Sequence, residues 1–230
     1  MKKFCSEILR YAAIVVGFAI MALGLTFLVN AQLGLPPWDV LHMGLSQHFP
    51  LSYGQVIQVI GLLCIAAGYL MKIKPSLATF LNMFFVGFWV DLYLDNHIIP
   101  EAGHLSIQFL YLVSGILIFA YGTAIYMSFN RGTGPRDSLM MGLTRITGRR
   151  MGAVRTSIEV TVTLGGVMLG GPLGIGTLVV ALTVGFCLEG AFQLIRWQLY
   201  VGERFLHWLS VQTGLKLQKS KSALGEPYSK

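Results

Sequence analysis

Two short segments combine the residues that turn a chain with residues that carry charge. They are Gly34-Leu35-Pro36-Pro37-Trp38-Asp39 and Gly132-Thr133-Gly134-Pro135-Arg136-Asp137. In each, glycine permits a sharp turn, and proline suits the first position of a helix, where its missing N–H is no loss. The aspartate two residues later falls in the first helical turn, where a negative charge favours the positive end of the helix dipole. Each segment therefore reads as a loop opening a short helix, the first ending near Phe49 and the second near Ile146. About ten residues are too few to cross a bilayer. Such a helix lies at the interface or dips into the membrane as a half-helix. Capping alone accounts for the proline and aspartate. A pair of half-helix N-termini aimed at a central cavity is the functional alternative.

Other ionisable groups sit inside apolar runs. Arg155 precedes Glu159 by four residues, which puts both on one helix face. Asp91 and Glu189 lie within two further runs, and Gln58 and Asn82 are polar residues of the same kind of stretch. Charges within spans usually face a bundle interior or a wet cavity, because each costs several kcal/mol in hydrocarbon. Arg136, Asp137, Arg155, Glu159 and Glu189 are expected to form a polar cluster opening inward. Asp39, His42 and Asp91 are expected to form a sparser one opening outward, with Gln55, Gln58 and Asn82 between. A carboxyl held away from water can exchange protons near neutral pH, so Glu159 is the expected coupling residue. His42 and His48 read as ordinary surface histidines. The substrate and pathway candidates are thus Gly34, Pro37, Asp39, Gln58, Asp91, Gly132, Gly134, Pro135, Arg136, Asp137, Arg155, Glu159 and Glu189.

The stretches that position these residues are hydrophobic. Of 230 residues 54% are hydrophobic and 12% charged, and the mean hydropathy is +0.66. A soluble domain is roughly a quarter charged, so the surface must face lipid. The net charge of +7 lies in short connecting segments and the tail. That distribution suits loops beside membrane spans, and no nucleic-acid partner is expected. Six runs are long enough to span or nearly so: Tyr11–Val29, Gln55–Met71, Ser76–Leu94, Leu105–Met127, Ala153–Leu169 and Leu173–Ile195. The first is too long for a secretory h-region and is kept as a helix. Lys and Arg are absent from segments 30–54 and 95–104 but present at the N-terminus, at Lys72 and Lys74, in 128–152 and in the tail. The alternation predicts a multi-pass protein of the bacterial inner (plasma) membrane with both termini cytoplasmic.

A shift of 98 residues lays the chain on itself without a gap. Gly17, Gly24, Gly34, Pro37, Asp39, Gly44, Gly54, Gly68 and Gly87 fall on Gly115, Gly122, Gly132, Pro135, Asp137, Gly142, Gly152, Gly166 and Gly185, while Asp91 meets Glu189. Three spans per unit is an odd number, so the second unit enters from the opposite side. The expected fold is an all-α polytopic bundle of six spans: a repeat over 1–98, an inverted repeat over 99–196, and a basic amphipathic cytoplasmic tail over 197–230 with a disordered end. Gly17 with Gly24, and Gly115 with Gly122, share a helix face and read as packing sites.

Gly34 to Gly44, Gly132-Thr133-Gly134-Pro135-Arg136-Asp137-Ser138-Leu139-Met140, Val154-Arg155-Thr156 with Glu159, and Gly170-Gly171 through Gly174-Ile175-Gly176-Thr177 resemble the YczE/YyaS/YitT family of bacterial integral membrane proteins, most closely its YczE-like branch. The likeness covers roughly residues 10–195. It implies an inner-membrane protein of about five or six spans and supplies no catalytic or ligand residues.

No nucleotide loop, metal-ligand spacing or nucleophile elbow is present, so neither enzyme activity, metal nor cofactor is expected. Function is expected to be secondary transport or export of a small polar solute by alternating access. The alternative is a non-transporting accessory or scaffold protein of a membrane complex. Expected partners are the lipid bilayer and the solute, with room for a homo-oligomer or a membrane partner protein. Cysteines placed one at a time in segments 30–54 and 128–152 should react with an impermeant thiol reagent from opposite faces of the membrane; reaction from one face would refute the inversion.

Overall fold

The computed structural model describes the backbone of residues 2–213 and the side chains of residues 7–201. Among the described residues there are eight helices and no strand: α1 (Lys2–Ala31), α2 (Pro37–Ser46), α3 (Tyr53–Leu70), α4 (Leu77–Asp95), α5 (Leu105–Ser128), α6 (Pro135–Thr147), α7 (Met151–Met168) and α8 (Ile175–Thr213). Five have the length and apolarity to cross a membrane: α1 from Glu7, α3, α4, α5, and α8 as far as Val201. α7 is the helix expected as a further span over Ala153–Leu169. It has 18 residues, but Arg155, Glu159 and four hydroxyl residues make it less apolar than the other five. α8 extends beyond the expected Ile195, so the start of the tail continues the last helix. The expected disordered end, and the side chains that would seat the tail on the membrane surface, lie outside the described residues.

Local chemistry explains the helix starts. Ser52 opens α3 by accepting from the Gln55 amide at 3.1 Å, while Gln55 accepts from the Ser52 amide at 3.0 Å. Ser76 opens α4 through the same reciprocal device with Thr79. These capping boxes satisfy amides that a helix start leaves unpaired. α2 and α6 each begin with proline. The chain reaches both after a glycine in the left-handed region, Gly34 with φ +102° and Gly132 with φ +142°.

The same interval recurs throughout. α6, α7 and α8 start 98 residues after α2, α3 and α4. Positive φ angles recur at that spacing too: Gln32 and Asn130, Gly34 and Gly132, Lys72 and Gly170.

At the centre, α1 and α5 cross with their backbones almost touching. A methyl group on Gly24 would stand 2.8 Å from the Gly115 carbonyl oxygen, and one on Gly122 would stand 2.8 Å from that of Gly17. The order of the pairs reverses, so the two helices are antiparallel. The expected packing role of these glycines is what the contact shows. α4 flanks α1, and α8 flanks α5. The short helices cross over: α2 packs on α7, and α6 packs on α3.

The loops are exchanged as well. The Gly176 amide donates to the Leu33 carbonyl at 2.7 Å, and the Thr79 hydroxyl donates to the Thr133 carbonyl at 2.8 Å. Each motif loop is therefore held by the last helix of the other half. Ile14, Phe18, Leu28 and Leu112 fill the core, while Leu70, Met168 and Phe186 are more than three-quarters exposed. An outer surface of large apolar side chains suits lipid.

These contacts make the centre intolerant of bulk. Gly122→Leu should destabilise the protein by about 1–3 kcal/mol through overpacking, which lowers the thermal midpoint in detergent by several degrees. Gly190→Ala, where a methyl group meets nothing within 4 Å, should leave it unchanged. Equal midpoints for both variants would refute the close crossing.

Candidate functional site

α6 begins in the interior and runs toward one end of the bundle. Pro135 lies against Gly61, about halfway along α3, and Gly142 lies against Met71, just past the end of α3. α2 runs against the far end of α7, where Gly44 meets Gly166 and Gly171. α2 has 10 residues and α6 has 13, so they rise about 15 and 20 Å, half to two-thirds of a hydrocarbon core of about 30 Å. The two N-termini meet. The Arg136 guanidinium stacks over the Trp38 ring, 5.2 Å from its centroid. Trp38 and Arg136 occupy matching positions of the two motifs, so the meeting point is where the halves cross.

A cavity of about 400 Å³ opens beside this contact. Its polar wall comes from the starts of both short helices (Pro37 and Trp38, then Gly134, Pro135, Arg136 and Asp137) and from Arg155 and Glu159 on α7. Its remaining walls are largely apolar, with Met21, Phe119, Val180 and Val184 among them. Arg155 Nε donates to Glu159 at 3.0 Å. Glu159 thus lines the same cavity as the starts of the two short helices.

Asp39 lies behind this wall. Its side chain is 1% exposed, and Oδ1 is shared by three groups: Tyr53 donates at 2.9 Å, His42 Nδ1 lies at 3.1 Å and Arg136 at 3.5 Å. A carboxylate can only accept, so His42 carries its hydrogen on Nδ1. Asp39 Oδ2 and His42 Nε2 are buried with no hydrogen-bond partner among the described residues. His42 borders the cavity.

The equivalent Asp137 behaves differently, because it accepts from the Gly134 amide at 3.3 Å. Pro36 stands where Gly134 does and has no amide hydrogen to offer. The two positions share a backbone conformation, with φ −52° and −63°, so the loop tolerates the exchange. One carboxylate caps its helix; the other is released to bind its counterpart's arginine.

Several expectations need correction. The inward and outward clusters are not separate, since Asp39 pairs with Arg136. Asp91 is not part of the Asp39–His42 group: it accepts from Ser52 and from the Gly54 amide instead. His42 is not a surface histidine; it is buried at 1% exposure, whereas His48 is exposed. Glu189 does not line the cavity and is exposed. Gln58 donates to the Phe84 carbonyl at 3.0 Å and ties α3 to α4, while Asn82 does line the cavity. Gly34 and Gly132 pack against the starts of α8 and α4 rather than facing the cavity. Tyr53 escaped the sequence reading, and Trp38 entered it only as a member of the first motif, with no role at the site. The Asp39–His42 spacing of three on a proline-started helix was a readable signal, because residues that far apart share a face.

Among the described residues Arg136 is the only permanent cation in contact with the Asp39 carboxylate. Arg136→Met removes it and should destabilise the protein by about 1–3 kcal/mol. In an Asp39→Asn background the same change should have a much smaller effect. A double-mutant cycle on thermal unfolding checks this, and additive effects would refute the pairing.

Comparison with known proteins matches this chain over residues 8–192 to a family of unknown function, DUF6198. "Uncharacterized membrane protein YczE" of Bacillus subtilis (strain 168) is 33% identical over 196 residues, covering 83% of this chain and 90% of that protein. "Uncharacterized protein YyaS" of the same organism is 30% identical over 188 residues, covering 79% and 89%. An uncharacterized protein of Haemophilus influenzae is 28% identical over 177 residues, covering 77% and 80%. No solved structure matches. With helices throughout the described residues, five of them able to span a bilayer, and this match over most of its length, the chain is a membrane protein and belongs to the DUF6198 family.

Proposed function

We propose that this protein is a secondary transporter or exporter of a small polar solute, working by alternating access. The observation that carries this reading is the meeting of two half-helix N-termini at a cavity of about 400 Å³. Transporters built from inverted repeats recurrently bind their substrates in this way, because helix starts present unpaired amides and a positive dipole end. Arg136 and Trp38 would orient a polar group of the solute, and the apolar walls would enclose the rest of it.

Several features support two inverted halves. Helix starts and left-handed residues recur at a 98-residue interval, and α1 and α5 cross antiparallel. α7 would be the sixth crossing, with Arg155 and Glu159 turned toward the cavity. The charge of the connecting segments favours the bacterial plasma membrane, with both termini in the cytoplasm. The end of the cavity flanked by Arg155 and Glu159 would then open inward. Energy would come from a gradient, with Glu159 carrying protons. No enzymatic step enters this reading.

Proteoliposomes containing only this protein test it. Across a panel of small polar solutes, at least one should equilibrate faster than in empty vesicles. Arg136→Ala should slow that flux by about tenfold or more, the effect of losing one contact to a charged group, and Glu159→Gln should abolish its response to a pH gradient. No flux for any solute, together with a fixed membrane partner that copurifies and loses activity on deletion, would overturn transport in favour of an accessory role.

A further inference from the structure

The two halves carry the same fittings, but only one half has them engaged. In the first, the start of α3 is fastened to α4. A methyl group added to Gly54 would collide with the Gly87 carbonyl oxygen. Asp91, one turn past Gly87, accepts from the Gly54 amide at 2.7 Å and from the Ser52 hydroxyl. One carboxylate thereby takes up donors at the beginning of α3, where negative charge is favoured.

Shifted by 98 residues, these positions hold Gly152, Gly185, Glu189 and Arg150. Here nothing meets. A methyl group on Gly152 or Gly185 would have no atom within 4 Å. Glu189 is exposed and makes no hydrogen bond or ion pair among the described residues. Glu159 of α7 and Gly185 with Leu188 of α8 line the same cavity, and α7 and α8 are not among the helix pairs that pack on each other.

A glycine inside a helix is less favourable than alanine, and a carboxylate near hydrocarbon is unfavourable without a partner. Neither Gly185 nor Glu189 gains a contact that offsets this in the present arrangement. Their counterparts do, on α4.

The geometry points to a second conformation in which α7 and α8 close on each other through Gly152, Gly185 and Glu189. The Glu189 carboxylate accepts from the Gly152 amide and pairs with the Arg150 guanidinium, which stands where the first half has the Ser52 hydroxyl. Closure seals the cavity between α7 and α8. Opening at the other end needs α3 to leave α4, which breaks both bonds to Asp91. Asp91 and Glu189 are thus matching latches, one engaged here and one released. The proposal rests on the alternating-access reading and supplies the residues that gate it.

Spin labels on the full chain in lipid nanodiscs test this without any solute. One pair spans α7 and α8 at Arg149→Cys and Gln193→Cys. A second spans α3 and α4 at Leu51→Cys and Asp95→Cys. Cys5, Cys64 and Cys187 are replaced by alanine in both. The 149–193 pair should show a long distance, as in this structure, and a shorter one resembling the 51–95 spacing. Gly185→Leu, which has room here but none in the closed arrangement, should remove the shorter distance. Glu189→Gln should lower its weight by about tenfold, as expected for a contact to a charged group. Asp91→Asn should raise it and lengthen the 51–95 distance.

A single 149–193 distance unmoved by Asp91→Asn, or a short distance that survives both Gly185→Leu and Glu189→Gln, would overturn the latch. Two distances in a protein without solute flux would count against transport alone. Flux through a protein with one fixed distance would count against the latch alone.

Discussion

A helix that ends halfway across a bilayer leaves amides without partners, and hydrocarbon offers them none. Irregular backbone at that depth survives only where protein surrounds it or a polar cavity receives it. On the transport reading, the rest of the structure is organised around this constraint. α2 and α6 bring their starts to one place, so a single polar pocket serves both. The loops that lead there are clasped by the far helix of the opposite half, through Leu33 with Gly176 and Thr133 with Thr79. The glycine crossing of α1 and α5 brings the halves close enough for this to happen.

Within the pocket, one residue breaks the equivalence of the motifs. Gly134 offers an amide that Asp137 takes. Pro36 offers none, and Asp39 turns to Tyr53, His42 and Arg136. Two copies of one carboxylate therefore do different work: Asp137 stabilises a helix start, and Asp39 ties one half to the other. The Asp39 pairing holds Arg136 beside the cavity, stacked over the Trp38 ring.

Much of this was legible in the sequence, for reasons that differ by element. Long apolar runs mark α1, α3, α4, α5 and α8 because lipid demands them. Pro37 and Pro135 mark the starts of the short helices to the residue, since proline fixes the backbone there. α7 was harder: Arg155 and Glu159, which line the cavity, and four hydroxyl residues dilute its apolar signal. The meeting of Trp38 and Arg136 was not readable, because it depends on where four helices place two loops. His42 was misjudged as a surface group for want of that contact. Nor could the difference between the halves be read, since both spell out the same glycines and a carboxylate; only the spacing of α3 from α4 and of α7 from α8 separates them.

The stack of Arg136 on Trp38 has an optical consequence. An indole in contact with a guanidinium, at the edge of a cavity, changes its emission when that cation is drawn away or the cavity fills. The sequence has only four tryptophans, and Trp38 is the one among the cavity-lining residues. With the other three replaced, the protein would report occupancy through its own fluorescence, with no dye attached and whatever the chemical identity of the guest.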